Sequence, residues 1–305
     1  MPILGPWPES AAAYPGPMVE KARRLRRAPE GGPTRSGARP VRPQGHITRG
    51  TTAAQRMRRV DRWLLDVHGP LLRSVPAPLL ADLGYGAEPT TAVELLQRAR
   101  AVAPHAELIG LEIDPERVAH ARASAPALDG LSWAVGGFEV PAPRPPQVVR
   151  AFNVLRQYDE QDVPEIWRML TAALAPGGVL VEGTCSETGR RAAWVDVRPS
   201  GPVSLTLAVR FGEVERPSEI AERLPKALIH RHVPGEPVHD FLAAADEAWA
   251  LHAPLAAYGM RQRWIAMCST LKERGWPVLG RQAQWRRGEV GVRWEAVAPS
   301  SWSWG

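Results

Sequence analysis

The sequence predicts an α/β fold built on a mostly parallel sheet, and three observations predict it. Leu79–Leu83 is an apolar run of strand length, and Gly84 and Gly86 follow it at once. Apolar residues at helical spacing come next: Val93, Leu95, Leu96, Ala99 and Val102. A second apolar run, residues 107–111, then ends in the acid Glu112. Strand, glycine turn, helix and strand make a βαβ unit, which is parallel and right-handed.

The other elements follow in chain order. Residues 1–45 are rich in Pro, Gly and Arg and lack periodicity, which predicts a disordered arm. The remainder, 46–305, reads as one domain. A helix is expected near 53–67, capped by Thr51 or Thr52, with Val60, Trp63, Leu64 and Val67 on one face. Thr91-Ala92-Val93-Glu94 has the form of a capping box for the helix after the glycines. Asp114 and Pro115 open a third helix. Residues 131–135 and 147–152 read as strands on either side of a proline-rich loop, 141–146. A helix over 162–174 leads to a fifth strand over 179–182, whose Glu182 and Cys185 are expected near the mouth of the site. Residues 190–258 read as an insertion capping the site. Residues 281–285 and 290–297 read as a closing antiparallel hairpin around a glycine turn.

Composition narrows the function. The net charge of +6 is concentrated: residues 21–73 hold 14 Lys or Arg against 3 Asp or Glu, so the body beyond them is mildly acidic. The pI is therefore no proof of a nucleic-acid enzyme, and a small-molecule acceptor is the favoured expectation over nucleic acid. The cluster Lys21 to Arg27, and more broadly residues 21–62, suits RNA or an acidic partner. No apolar run reaches the ~20 residues that a membrane helix needs. Cys185 and Cys268 lack metal-ligand spacing and read as free thiols of a reducing, cytoplasmic compartment, so no metal is expected. His230 and His232 share a face if extended, but no third ligand accompanies them.

The βαβ unit is shaped for a nucleoside-containing ligand. The glycines leave no Cβ in the crevice at the carboxyl end of the first strand, and an acid at the end of the second can accept ribose hydroxyls. A dinucleotide cradle needs a third glycine at position 89, where Pro89 stands. Asp82 can accept from a cationic amino group or hold the loop. A nicotinamide-dependent dehydrogenase is therefore the weaker expectation.

Asp82-Leu83-Gly84-Tyr85-Gly86 resembles the first motif of class I S-adenosylmethionine (SAM)-dependent methyltransferases. Gly110-Leu111-Glu112-Ile113-Asp114-Pro115 resembles their second, and Leu174-Ala175-Pro176-Gly177-Gly178 the turn before their fifth strand. The resemblance covers about residues 79–185. It implies a Rossmann-like, seven-stranded, mostly parallel sheet, SAM as cofactor and an unidentified methyl acceptor. It also implies a cofactor set of Asp82, Gly84, Tyr85, Gly86, Glu112, Ile113, Gly137, Phe138 and Asn153. Asn153, Arg156 and Tyr158 become candidates facing the reacting methyl, and a helix near 53–67 would lie over the cofactor. Two departures are visible: Glu88 stands where the family often has a glycine, and Val135-Gly136-Gly137-Phe138 lacks the family's acid. They motivate an alternative, a non-catalytic module of this fold that binds RNA or a protein through its basic arm.

Overall fold

The computed structural model describes residues 43–47 and 53–304. Residues 1–42 of the arm, the basic cluster and the caps Thr51 and Thr52 lie outside the described residues, whereas residues 43–45, expected to be disordered, are hydrogen-bonded to Phe138 and Glu139 through Gln44. One mixed sheet of nine strands runs in the order β3-β2-β1-β4-β5-β6-β7-β9-β8. β1 (Leu79–Leu83), β2 (Glu107–Glu112), β3 (Leu131–Val135), β4 (Val148–Phe152) and β5 (Val179–Cys185) are parallel. β6 (Arg191–Arg198), β7 (Gly201–Val209), β8 (Val278–Leu279) and β9 (Glu289–Arg293) add antiparallel pairs. β1, β4 and β5 are buried along their whole length, as continuous apolar strands covered on both faces must be.

Strand alternation sends side chains to two cores. Leu80, Leu108 and Val148 meet α1 (Arg58–Arg73), α2 (Thr90–Arg100) and α3 (Pro115–Ser124). Leu79, Ala81, Ile109 and Leu180 meet α4 (Val163–Ala172), α5 (Pro237–Leu251) and α6 (Met260–Glu273) on the other face. α3 begins as its sequence directs: Asp114 accepts from the backbone N–H of Glu116 at 2.9 Å, and Pro115 takes the first turn. α2 departs from the expected capping box. Thr91 lies inside the helix, and the Glu94 carboxylate accepts instead from Gln55 and Arg98.

Three expectations are corrected. The sheet has nine strands rather than seven. The stretch 190–258 supplies β6 and β7 to the sheet instead of lying wholly above it, because Val195, Val197, Leu205, Leu207 and Val209 all face the core. Ser186 makes that continuation local: its Oγ accepts from the N–H groups of Arg190 and Arg191, and Gly189 turns at φ 65°. The expected partner strand over 281–285 is a short helix, α7 (Gln282–Trp285). The Gln284 side chain accepts from the Arg281 N–H at 2.8 Å and winds that segment, so β9 pairs with Val278–Leu279 instead.

Candidate functional site

The strand order reverses at β1, whose neighbours are β2 on one side and β4 on the other. Connections leave in opposite directions there and open a crevice at the carboxyl ends of the strands. Gly84 and Gly86 turn the chain at the crevice with φ of 69° and 92°, a region that side chains rarely tolerate. The Gly84 N–H reaches back to the carbonyl of Leu111 at 2.8 Å, fastening the turn to β2.

Glu112 closes the floor of this turn. It is 1% exposed and already holds three donors: Oε2 accepts from the Gly86 N–H at 3.2 Å, Oε1 accepts from the Ile113 N–H at 2.9 Å, and Arg117 pairs with Oε2 at 3.5 Å. A carboxylate offers about four acceptor directions, so a further donor can still be received. Pro89 precedes α2 and has no N–H, which removes one donor from the place where a pyrophosphate would dock.

Asp82 does not face the crevice as a free acceptor. β1 and β4 place it directly beside Arg150, whose Nε and Nη2 donate to its two oxygens at 2.9 and 2.6 Å. Arg150 also pairs with Asp61 of α1 and donates to the Thr91 carbonyl at 3.0 Å. Arg98 of α2 completes the cluster on Asp61. Two acids and two arginines thereby tie both helices to the sheet beneath the glycine turn. Tyr85 is likewise turned away. Its ring packs edge-on against Trp133 at 4.9 Å, and its hydroxyl donates to the Arg117 carbonyl at 3.4 Å.

Ile113 and Phe138 come together against Gly45, with Gly137 preceding Phe138 in the chain. Phe138 is buried, with its ring 5.2 Å from that of Tyr158. Residues 43–47 cross here as a strap. The Gln44 carbonyl accepts from the Phe138 N–H at 3.0 Å, and the Gln44 N–H donates to Glu139 at 2.9 Å. A Cβ on Gly137 would lie 1.9 Å from the Gln44 oxygen, so only glycine lets the strap lie this close. The Tyr158 hydroxyl accepts from the His46 N–H at 2.5 Å, and burial pushes its pKa up to about 12 against that bond. Glu139, which the sequence reading does not single out, accepts from the Gly137 N–H at 2.8 Å with its other oxygen and so fastens the strap to the end of β3. Glu88 turns outward to His120 at 3.2 Å, half exposed, and so keeps its charge away from the glycine turn.

Asn153 and Cys185 meet at the ends of β4 and β5. The Cys185 N–H donates to Asn153 Oδ1 at 3.0 Å, and Asn153 Nδ2 lies 3.4 Å from the sulfur. Asn153 holds a left-handed backbone at φ 59°, an unusual state for a non-glycine residue and one common at binding sites. Met57 caps the pair, with its sulfur 4.0 Å from that of Cys185. Arg156 lies one turn further on. Glu182, expected near the mouth, is instead fully buried beneath Trp167, because it falls on the strand face that points into the α4 core. His230 and His232 occupy a 3₁₀ turn rather than a strand, and no cluster of metal-ligating side chains occurs among the described residues.

No protein-family model and no curated protein matches the chain. Solved structures do resemble it over less than half of its length. Human N-acetylserotonin methyltransferase in complex with SAM is 20% identical, covering 45% of this chain and 39% of its own, at a TM-score of 0.30. The N-methyltransferase NodS from Bradyrhizobium japonicum WM9 is 21% identical over 42% of this chain and 67% of its own, at 0.31. Magnesium protoporphyrin IX methyltransferase from Synechocystis PCC 6803, with bound SAH, is 19% identical over 44% and 56%, at 0.34. The chain thus spans well under two thirds of the first of these proteins. No helix among the described residues is long and apolar enough to cross a membrane.

Proposed function

We propose that the protein is a SAM-dependent methyltransferase acting on a small-molecule acceptor. The observation that carries this reading is Glu112. Its buried carboxylate stands at the carboxyl end of β2, hydrogen-bonded to the N–H of Gly86 in the glycine turn of β1. That arrangement suits a ribose beside a turn with no phosphate cradle, which is what a nucleoside sulfonium needs. Glu112 would receive the ribose hydroxyls, Gly84 and Gly86 would admit the amino-acid portion, and Ile113 and Phe138 would flank the base. The cofactor supplies an electrophilic methyl group on sulfur. The chain's own part is to orient and enclose: Asn153 presents an amide beside the crevice, and Met57 and the strap 43–47 exclude water. Holding two reactants at ~3–3.5 Å accounts for much of the catalysis such a site must supply, so no strong acid–base pair is required.

The alternative of a non-catalytic RNA- or protein-binding module is not favoured. It drew on Glu88 and on the missing third-strand acid. Glu88 faces His120, and Glu139 stands next to Phe138.

Calorimetric titration of SAM and of its demethylated product SAH tests the reading. Micromolar binding is expected, weakened by ~1–3 kcal/mol in Glu112→Ala through loss of a charged hydrogen-bond partner. No heat from folded protein with either ligand, or equal affinity in Glu112→Ala, overturns it.

A further inference from the structure

Two arginines near the carboxyl ends of β4 and β5 are incompletely partnered. Arg156 follows β4 in the 3₁₀ turn Leu155–Gln157. It makes no ion pair among the described residues, and its Nη1 donates only to the backbone carbonyl of Glu222 at 3.3 Å. Arg223 ends the 3₁₀ turn Pro217–Arg223, and its carbonyl accepts from the Thr184 hydroxyl, which fixes it against the residue before Cys185. The Arg223 Nε is buried without a hydrogen-bond partner, 3.4 Å from Glu222 Oε1. That same oxygen is taken at 2.9 Å by Arg191. Arg191 and Arg223 therefore share one carboxylate, and Arg156 reaches only the backbone of the same residue. Burial and the nearby Arg223 charge hold the Arg156 pKa below the ordinary arginine value, with Glu222 and the Cys185 sulfur pulling the other way. Arg156 is thus left without a carboxylate of its own, within electrostatic reach of the Cys185 sulfur.

Arginine forks match the planar oxygens of a carboxylate or phosphate and bind them in two-point fashion. Gathering like charges at a partly desolvated site is costly unless a counter-charge arrives. We infer that Arg156 and Arg223 anchor an oxyanion, carboxylate or phosphate, on the molecule that enters beside Asn153 and Cys185. Resting on the methyl-transfer reading above, that molecule is the methyl acceptor, and the two arginines set its class and orientation. They act as positioning residues. The anion is held away from the reacting atom, so the acceptor carries its nucleophile and its anionic group at separate positions.

The test uses the full chain and two probes, inorganic phosphate and benzoate, each titrated against chloride at constant ionic strength, with and without SAH. Thermal unfolding is the readout. One probe is expected to raise the melting temperature saturably, phosphate or benzoate according to which oxyanion the site takes. Its midpoint concentration should rise about tenfold in Arg156→Gln and in Arg223→Gln, as loss of a charge-assisted bond requires. Arg156→Lys keeps the charge without the fork and should fall between. Arg190→Gln, whose guanidinium is paired with Glu213, should match the unaltered protein. Retained SAH affinity shows that the variants fold. No saturable response to either probe, or unchanged midpoints in the arginine variants, overturns the proposal. An arginine-dependent response without SAH binding would instead remove the methyl-transfer reading and leave the anion site standing.

Discussion

Arg150→Met is expected to lower the unfolding free energy by about 3–5 kcal/mol, the usual cost of breaking a buried ion pair from one side. Arg150 is 1% exposed and satisfies Asp82 and Asp61, neither of which meets solvent. Without it, Asp82 loses both its donors, and Asp61 keeps only Arg98. The cost therefore comes from stranded carboxylates rather than from lost packing, since methionine is flexible and fills much of the same space. Urea unfolding at neutral pH measures it. The triple variant Arg150→Met, Asp82→Leu, Asp61→Leu separates the causes. Recovery of most of the lost stability confirms that the stranded charges carry the cost, whereas a further loss would show that the ions themselves hold α1 and α2 on the sheet.

Glu182→Gln has the second large expected effect, and it depends on pH. Glu182 is fully buried, and burial pushes its pKa from 4.5 up to about 8 against the opposing pull of the nearby Trp167 indole. The folded protein therefore holds this proton more tightly than the unfolded chain does. Its stability contribution is fully present below about pH 4.5, declines as pH rises through 4.5 to 8, and levels off above that. The whole span amounts to roughly 5 kcal/mol at 1.36 kcal/mol per pKa unit. Glutamine resembles the protonated acid in shape and never ionises. Relative to the unaltered protein, Glu182→Gln should gain up to about 5 kcal/mol by pH 9 and almost nothing at pH 4.5. Parallel stability profiles from pH 4.5 to 9 would show that this carboxyl does not titrate in the folded protein.

The glycine turn and Glu112 were legible because their chemistry is local. A strand-length apolar run, two glycines and an acid need no knowledge of partners. Asp82 was not legible for the opposite reason. Its role depends on the register that sets β1 against β4, and an arginine inside Val148–Phe152 does not announce which neighbour it meets. Glu182 is misplaced by strand length: the strand expected to end there runs on to Cys185, which leaves Glu182 in mid-strand within the core. The closing hairpin failed because a side-chain cap from Gln284 outweighed an alternation carried mainly by Ala283 and Trp285. Arg223 was overlooked because no periodicity marks a 3₁₀ turn, and only the folded chain brings it to Cys185.

The unbroken path from β5 through β6 to β7 bears on how the molecule assembles itself. Tight connections zip this half of the sheet, and Arg198 faces Gly201 across one of them. The β1–β4 pairing instead brings together residues 68 positions apart, with β2 and β3 between them in the chain. Closing the longer loop costs more chain entropy before any contact rewards it. The meander should therefore organise first and present β5 as a finished edge, onto which β4 and then β1 dock. Pulse-labelled hydrogen exchange during refolding would show β6 and β7 amides protected before those of β1, and simultaneous protection would mean that the two halves form as one unit.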